Sequence, residues 1–414
     1  MNKEGMQMAL EDAAWLGYGR ADGSVGIRNK VLVVYTVECA HFVAEQIVRQ
    51  SDDSETELIG FSGCTDNQYA VRLLLALIRH PNVGAVLAVG LGCEYTQPER
   101  LAEAARQSGR PASWFFIQDM GGTASSIAHG VDCVRWLRTQ LRDTPRIPMR
   151  LRDLVIGAEC GGSDYTSGLA GNVAVGRFYD FLTAHGGTAI FEEIVEAVGL
   201  RGLLAGRAAN EQARREITQT YDKAMAYCQS VRQYSVSPGN FAGGLSTIEE
   251  KSMGAVVKSG SAPIEGVIKV GQRPPHGGLW LLDTTPDPHW MQFGITNPND
   301  NEGLMALTAA GCHLTILVTG RGNVVGSAVA PVIKVTGNSR TFRRMQGDMD
   351  FDAGPVLTGA ETPGDLGLRL ADKVLSVAGG EPTRAEMLGH REYFIPYKYQ
   401  EKQVGAVPRC EQEC

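Results

Sequence analysis

The segment KVLVVYTVEC, from Lys30 to Cys39, is a short apolar run rich in β-branched residues, and the amphipathic AHFVAEQIVRQ, from Ala40 to Gln50, follows it directly. The same order recurs in TELIGFSGC (Thr56–Cys64) before YAVRLLLALIRH, and in VGAVLAVGLGC (Val83–Cys93) before ERLAEAARQ. Near-continuous apolar strands that alternate with helices indicate a parallel sheet covered on both faces. The sequence therefore predicts an α/β fold that begins with a Rossmann-like sheet.

A Pro- and Arg-rich stretch, RDTPRIPMRLRD, marks a predicted domain boundary near residue 150. Beyond it, DLVIGAEC (Asp153–Cys160) and LTILVTG (Leu314–Gly320) are typical of further buried strands, whereas SPGNFAGGLSTIEEKSMG is glycine-rich and loop-like. We predict a Rossmann-like α/β domain over residues 1–150 and a C-terminal α/β domain with glycine-rich active-site loops over residues 151–414.

Composition excludes several classes of protein. Apolar residues make up 43% and charged residues 21% of the 414 residues, which excludes global disorder. The 39 basic and 46 acidic residues give a net charge of −7, which argues against nucleic acid as a partner but not against a small anionic substrate. No apolar run reaches the roughly 18 residues that span a bilayer, and the start lacks a signal peptide. We therefore expect a cytoplasmic protein without a membrane partner.

Nine cysteines are present, and an odd number without an export signal does not suggest a disulfide framework. Cys39, Cys64, Cys93 and Cys160 each fall at the C-terminal end of a predicted strand, the edge at which open α/β sheets bind ligands. Two interpretations stay open, since no CxxC pair is present. The thiols are either small buried apolar groups or soft ligands for iron, as a single ion or an iron–sulfur cluster.

Two glycine-rich segments are candidate anion sites. In ECGGSDYTSGLAGN, Ser163 and Asp164 stand beside two glycines before a predicted helix, which suits either an anion-binding turn or an ordinary N-capped turn. In TGRG, Arg321 lies between two glycines after a predicted strand. Arg321 either binds an anion through its forked guanidinium or belongs to an ordinary surface turn. The spacing G-x-G-x-x-x-G there misses the dinucleotide fingerprint, which disfavours a nicotinamide cofactor.

Candidate proton-transfer groups follow predicted strands. Glu193 and Glu196 come after GTAIF, Lys251 lies in LSTIEEKSMG, and His313 follows Cys312 at the start of a strand. Carboxylates at strand ends bind metal or take protons, but most are solvated, and a histidine at the start of a buried strand is more often a core residue.

Several segments occur in an order that carries a family resemblance, which covers nearly the whole chain. They resemble the family that contains altronate and galactarate dehydratases and the large subunit of (2R)-sulfolactate sulfo-lyase. The matching segments are GYGRADGSVGIRN (Gly17–Asn29), PNVGAVLAVGLGCE (Pro81–Glu94), ECGGSD (Glu159–Asp164), PGNFAGGLSTIEEKSMG (Pro238–Gly254), AAGCH (Ala309–His313), TGRG (Thr319–Gly322) and FDAG (Phe351–Gly354).

The resemblance implies a lyase that performs metal-assisted β-elimination from a 2-hydroxy acid, with iron as the cofactor. In that context Cys64, Cys93 and Cys160 are the expected metal ligands. Glu193, Lys251 and His313 are candidate bases, and the sequence does not choose among them. The candidate substrate-binding residues are Arg20, Arg28, Asn29, Ser163, Asp164 and Arg321.

Three departures from the dehydratases favour the sulfo-lyase branch. Dehydratase members carry a small β-rich SAF domain ahead of this region, whereas this chain begins almost at the core, which resembles the two-subunit sulfo-lyase and implies a small SAF-domain partner in a homo- or hetero-oligomer. Altronate dehydratase has a histidine four residues before the cysteine that matches Cys64, and here that residue is Gly60. It also has Thr-Pro-Tyr-Gly after TGRG, where this chain has NVVGSAVAPVIKV.

The resemblance thus predicts conversion of (2R)-3-sulfolactate to pyruvate and bisulfite. The alternative is a hydro-lyase of the altronate or galactarate dehydratase type, which gives a 2-keto-3-deoxy acid. An alternative of another class is a non-catalytic α/β scaffolding subunit with inert core cysteines.

Overall fold

The structure is a computed structural model that describes residues 3–231, 236–286 and 299–396. Over these residues the chain folds into helices and mostly parallel strands, so the predicted α/β class is confirmed. The strands are β1 (Ala14–Gly19), β2 (Val25–Gly26), β3 (Lys30–Tyr35), β4 (Thr56–Gly60), β5 (Val83–Gly90), β6 (Ala112–Phe116), β7 (Arg146–Arg150), β8 (Val155–Cys160), β9 (Thr188–Phe191), β10 (Ile264–Lys269), β11 (Gly278–Asp283), β12 (Leu314–Thr319), β13 (Val332–Thr336) and β14 (Phe351–Asp352).

The helices connect these strands and cover the sheets. They are α1 (Lys3–Glu11), α2 (Glu38–Ser51), α3 (Gln68–Ile78), α4 (Pro98–Gln107), α5 (Thr123–Gln140), α6 (Asn172–Ala184), α7 (Arg201–Gly206), α8 (Glu211–Val231), α9 (Pro238–Ala242), α10 (Ile248–Val257), α11 (Asp300–Ala309), α12 (Ser339–Arg344), α13 (Pro363–Ala378) and α14 (Arg384–Leu388). Within the described ranges, none of them combines the length and the apolar character that crossing a bilayer requires.

The first parallel sheet has four strands in the order β4-β3-β5-β6. Its central strand β3 is buried along its whole length. Val31 and Val33 of β3 pack with α2 and α5 on one face, and Leu32 and Val34 pack with α3 and α4 on the other. This two-sided burial explains why β3 is an almost unbroken apolar run.

The second parallel sheet has seven strands in the order β10-β11-β9-β8-β12-β13-β14. Helices α6 and α13 pack together over one face, and α11 packs on the other face against α3. From β8 the chain adds β9 on one side, whereas β12 lies on the other side. Such a reversal opens a crevice at the carboxyl ends of the central strands, where α/β proteins bind ligands.

A small antiparallel sheet, in the order β2-β1-β7, links the start of the chain to residues near 150. The Pro- and Arg-rich stretch predicted as a boundary contains β7, in which Pro148 lies opposite Leu16 of β1. β7 is an edge strand of this sheet, and an edge tolerates a proline that cannot donate a hydrogen bond.

Candidate functional site

A compact group of ligand atoms lies at the carboxyl ends of β8 and β9. Cys160 ends β8, Glu193 follows β9 by two residues, and Glu196 ends the short turn after it. The ligand atoms of these three residues all lie within 4.8 Å of one another. Among the described residues this is the one set of three or more His, Cys, Asp or Glu side chains that meets that distance.

Two lysines, Lys251 in the first turn of α10 and Lys258 directly after its last residue, balance the charge of this group. The hydroxyl of Thr247 accepts the Glu250 N–H at 3.1 Å, so α10 begins at Ile248. Lys251 and Lys258 are seven residues apart and therefore lie on one side of the helix. This side of α10 faces the ends of β8 and β9.

Each lysine has its own acidic partner. Lys251 Nζ donates to Glu196 Oε1 at 2.6 Å. Lys258 forms an ion pair with Glu193 and lies 3.1 Å from the sulfur of Cys160. The Lys258 side chain is only 1% exposed, and a charge buried to that degree requires such a partner.

Burial and pairing act in opposite directions on the Glu196–Lys251 pair. Burial raises the pKa of Glu196 above its usual range, although Lys251 opposes the shift. Burial alone would lower the pKa of Lys251, but the Glu196 carboxylate more than offsets this and raises it. Within the described residues Glu196 Oε2 has no hydrogen-bond partner, although it is buried. That carboxylate oxygen is therefore available as a metal ligand.

Further carboxylates stand beside this group. Burial, and then the neighbouring Glu192, raise the pKa of Glu159 well above its usual range. Glu192 in turn accepts a hydrogen bond from Thr284 at 2.9 Å. Asp300, at the start of α11, has its pKa raised by burial and accepts a bond from Asn323. The site is therefore rich in buried acidic groups, and burial raises the pKa of Glu159, Glu196 and Asp300.

Sequence reasoning did not single out Glu159, Glu192, Lys258 or Asp300. Two signals were available: Glu192 adjoins Glu193 at a strand end, and Lys258 follows Lys251 by two helical turns. Asp300 follows a long segment without a motif, so no local pattern pointed to it.

A cavity of about 210 Å³ opens beside the group. Its lining includes Cys160, Ser163, Asp164, Glu196 and Lys251. Five residues named as candidates from the sequence, from three separate stretches of the chain, thus meet around one small cavity. Its volume suits a small molecule.

Asp164 organises the turn that forms one wall of this cavity. Its Oδ1 accepts the Thr166 N–H at 2.8 Å, the Thr166 hydroxyl at 2.5 Å and the Ser167 N–H at 3.3 Å. A Cβ on Gly320 would lie 1.8 Å from the same oxygen, so that position requires glycine. Of the two interpretations left open, these contacts correspond to the capped turn.

Arg321 and Ser163 lie on either side of that turn. Arg321 is exposed, and its guanidinium donates to the carbonyl of Gly239 at 2.5 Å, which ties it to α9. Ser163 is buried and lines the cavity, and its carbonyl accepts from Asn240 at 2.9 Å. Arg321 is not among the residues that line the cavity, whereas Ser163 is.

Cys64 and Cys93 lie at the edge of the other parallel sheet. Both are exposed and neither belongs to the group around Cys160. The Glu94 carboxylate accepts the N–H groups of Gly92 and Cys93 at 2.9 and 3.0 Å and so shapes the loop that carries Cys93. The three predicted thiol ligands therefore do not form one group, because their strands belong to two different sheets.

Arg20, Arg28 and Asn29 are bound within the protein before β3, at the amino end of the first sheet. Arg28 makes two hydrogen bonds to the Glu386 carboxylate, at 2.8 and 3.0 Å. Arg20 donates to Asn29 Oδ1 at 2.7 Å and to the Pro81 carbonyl at 2.8 Å. The structure does not bring these three residues to the Cys160 group.

His313 precedes β12, so it lies at the amino end of the second sheet. Its Nδ1 accepts the Val155 N–H at 3.0 Å, and its Nε2 contacts the Val25 carbonyl at 2.9 Å. Burial lowers its pKa to about 4. A neutral ring with a proton on Nε2 satisfies both contacts, which is the geometry of a core histidine.

Two family models match the chain. The model for the C-terminal region of D-galactarate/altronate dehydratase matches residues 151–401, and that for the second domain of D-galactarate dehydratase/altronate hydrolase matches residues 17–142. The chain belongs to this family of dehydratases.

Curated relatives are similar over most of the chain. Altronate dehydratase of Escherichia coli (strain K12) is 32% identical over 91% of this chain and 76% of its own length. The (2R)-sulfolactate sulfo-lyase subunit beta of Chromohalobacter salexigens is 30% identical over 95% of this chain and 100% of its own length. Galactarate dehydratase (L-threo-forming) of Escherichia coli (strain K12) is 31% identical over 90% of this chain and 74% of its own length. The resemblance inferred from sequence is confirmed, and the chain is placed among the lyases.

Proposed function

We propose that the chain catalyses metal-assisted β-elimination from a 2-hydroxy acid, with (2R)-3-sulfolactate as substrate and pyruvate and bisulfite as products. The observation that carries the proposal is the group of Cys160, Glu193 and Glu196, with Lys251 beside it on the small cavity. An elimination requires that one site stabilise the negative charge that develops on the substrate and also transfer a proton. The three potential metal ligands suit the first role, and Lys251 suits the second.

The chemistry of the substrate sets these requirements. The proton on C2 is poorly acidic because the adjacent carboxylate is already anionic. Its removal creates an ene-diolate, whose charge must be stabilised. The substituent on C3 then leaves with its bonding electrons, and the resulting enol tautomerises to a 2-keto acid.

The donor set fits a divalent cation. One sulfur and two carboxylates lie within 4.8 Å of one another, and the buried Glu196 Oε2 has no hydrogen-bond partner among the described residues. Mixed sulfur and oxygen donors suit a single ion, whereas iron–sulfur clusters are held mainly by cysteine thiolates. Cys160, Glu193 and Glu196 would hold iron, which when bound supplies a Lewis acid for the developing negative charge.

The protein's own residues supply the remaining roles. Lys251 lines the cavity, and we assign it the exchange of the proton with the substrate. Lys258 lies behind the cavity, where its contacts with Cys160 and Glu193 keep both in position. Ser163 lines the same cavity and offers a hydroxyl to the substrate's anionic groups. His313 and the Arg20–Asn29 pair have no role in this proposal.

The choice of sulfolactate rests on one position in particular. The ring of Tyr35 occupies the space beside Gly60, because a Cβ on Gly60 would lie 2.3 Å from it. The histidine that altronate dehydratase carries at this position has no room here. Sulfite, which takes up a proton after departure to give bisulfite, leaves more easily than hydroxide and depends less on a proton donor, so a site without that histidine suits a sulfo-lyase.

The partner proposed for this chain is a small SAF-domain subunit. The supporting observation is that the sulfo-lyase relative is itself named as a subunit, and that this chain matches it along the whole of its length. In this proposal the chain is the large subunit of a two-subunit enzyme.

A hydro-lyase acting on altronate, galactarate or a related sugar acid is the second candidate. Three curated dehydratases are 31–32% identical to the chain. Lys251 and Lys258 also place two ammonium groups near the cavity, and hydroxide departure requires such a proton donor.

The test is an anaerobic preparation of the chain with and without a co-expressed SAF-type subunit. Bisulfite and pyruvate are measured after addition of (2R)-3-sulfolactate, and iron and sulfide are measured on the same samples. We expect equimolar bisulfite and pyruvate that are lost on iron chelation, with iron but no acid-labile sulfide. Iron without bisulfite, together with a 2-keto-3-deoxy acid from altronate or galactarate, would support the hydro-lyase. An iron-free and inactive chain that still binds its partner would support a scaffolding subunit.

A further inference from the structure

A second cavity, of about 480 Å³, lies between the first parallel sheet's helices and the loop that follows β10. It is larger than the cavity beside Cys160 and shares no lining residue with it. Four arginines line it: Arg72 on α3, Arg79 directly after α3, Arg100 on α4 and Arg273 in the loop after β10. Positive charge is thus gathered here in a chain whose net charge is −7.

The backbone holds two of these arginines in place. Gly271 has φ +82°, and a Cβ there would lie 3.1 Å from Arg72 Cγ. Gly311 has φ +92°, and a Cβ there would lie 3.3 Å from Arg273 Cγ. The stems of both arginines thus pack against glycine backbone. Arg273 also donates to the carbonyl of Arg79 at 2.5 Å, which joins two walls of the cavity.

The lining of this cavity holds four arginines and one carboxylate. Asp22 is the acidic residue of the lining, and it already accepts an ion pair from the buried Arg110 at 2.9 Å. Arg79 and Arg100 are exposed, and within the described residues neither guanidinium makes a hydrogen bond or an ion pair. Desolvation, and then repulsion from Arg110 and Arg79, lower the pKa of Arg273 although Asp22 opposes the shift.

We infer that this cavity is a binding site for a small molecule that carries phosphate groups. Guanidinium forks match the oxygens of phosphate and bind them in pairs. Arginines on three sides of one cavity suit a ligand with two or more negative charges, and the volume leaves room for a group larger than a single phosphate. The site is distinct from the lyase cavity and does not depend on the proposed reaction.

Inorganic pyrophosphate is the probe, titrated into the full chain by isothermal calorimetry at low ionic strength, since salt screens exposed charges. We expect saturable binding with one site per chain. Arg100→Ala should weaken it by about tenfold or more, because a charge-assisted contact is lost. Arg100 is exposed, so this variant should melt at the same temperature as the original chain.

Two control variants separate this site from others. Arg343→Ala removes an exposed arginine of α12 outside the cavity and should leave the affinity unchanged. Lys251→Met alters the lyase cavity and should also leave it unchanged. The inference is overturned if pyrophosphate shows no saturable binding, if Arg100→Ala and Arg343→Ala have equal effects, or if Lys251→Met abolishes binding while Arg100→Ala does not.

Discussion

The sulfur of Cys160 lies 2.9 Å from Oε1 of Glu193, a residue 33 positions further along the chain. Strand register explains this contact, because β8 and β9 are parallel neighbours in which Ala158 lies opposite Phe191. Beyond the end of β9 at Phe191, the same offset of 33 residues brings Glu159 level with Glu192 and Cys160 level with Glu193. The parallel pairing of the two strands thus delivers both acidic residues to the end of β8, where Glu193 contacts the Cys160 sulfur.

Replacement of Cys160 by serine should remove bound iron and activity. The variant loses the soft donor of the group and keeps nearly the same volume, so we expect iron affinity to fall by at least about tenfold and turnover by roughly 10²-fold or more. Iron per chain and initial elimination rates on anaerobic samples measure both effects.

Cys64→Ser and Cys93→Ser are the matched controls, since both thiols are exposed at the other sheet. Each should keep iron and turnover close to the original values. If either control lost its iron while Cys160→Ser kept it, the iron site would lie at the exposed thiols and not at Cys160.

Lys251→Met should lower kcat by roughly 10²- to 10⁴-fold, the usual contribution of a positioned proton-transfer group. Methionine is unbranched and one heavy atom shorter than lysine, and it removes the ammonium that pairs with Glu196 at 2.6 Å. Steady-state kcat and KM are the measurement. Lys373→Met is the control, because Lys373 pairs with Glu381 on the surface helix α13. An unchanged kcat for Lys251→Met would exclude the lysine as the proton-transfer group.

The alternation of apolar runs and amphipathic segments is sufficient to predict the α/β fold and to indicate the carboxyl ends of its strands as the candidate site. That edge carries Cys160 and Glu193, and both were predicted as site residues because they follow strands. Local sequence does not encode which strands become neighbours. Four thiols near strand ends therefore suggest one shared site, whereas Cys64 and Cys93 lie in the loops after β4 and β5 of one sheet and Cys160 ends β8 of another.

Residue type also does not reveal an internal partner. The family resemblance makes Arg28 a candidate substrate-binding residue, but its forked guanidinium is bound to Glu386, a residue 358 positions away. The sequence likewise does not single out Lys258, because a lysine is typical of a solvated surface. Only the tertiary fold, which brings the end of α10 to the ends of β8 and β9, gives it a sulfur and a carboxylate as partners.

Gly60→His should destabilise the protein rather than introduce dehydratase activity. A Cβ at this position would lie 2.3 Å from the ring of Tyr35, whose hydroxyl bonds to Tyr393 at 2.6 Å. Overpacking of this kind costs about 1–3 kcal/mol of the free energy of unfolding. Urea denaturation and an altronate assay test it, with Gly347→His as the control because a Cβ there meets open space. A stable Gly60→His variant with gained altronate turnover would contradict the proposed sulfolactate specificity.

His313→Gln should make the stability of the protein fall less steeply with decreasing pH, and it should not lower kcat. Because burial depresses the pKa of His313 to about 4 in the folded chain, against about 6.5 when unfolded, folding holds the ring neutral. The neutral ring therefore contributes fully to the free energy of unfolding above about pH 6.5. This contribution falls by up to roughly 3 kcal/mol as the pH drops toward 4. Glutamine can still accept from Val155 and donate to Val25 but does not titrate in this range. Melting temperatures between pH 7 and 4 should therefore fall less steeply for the variant. Parallel curves for the two proteins, combined with a large loss of kcat in the variant, would instead identify His313 as the catalytic base.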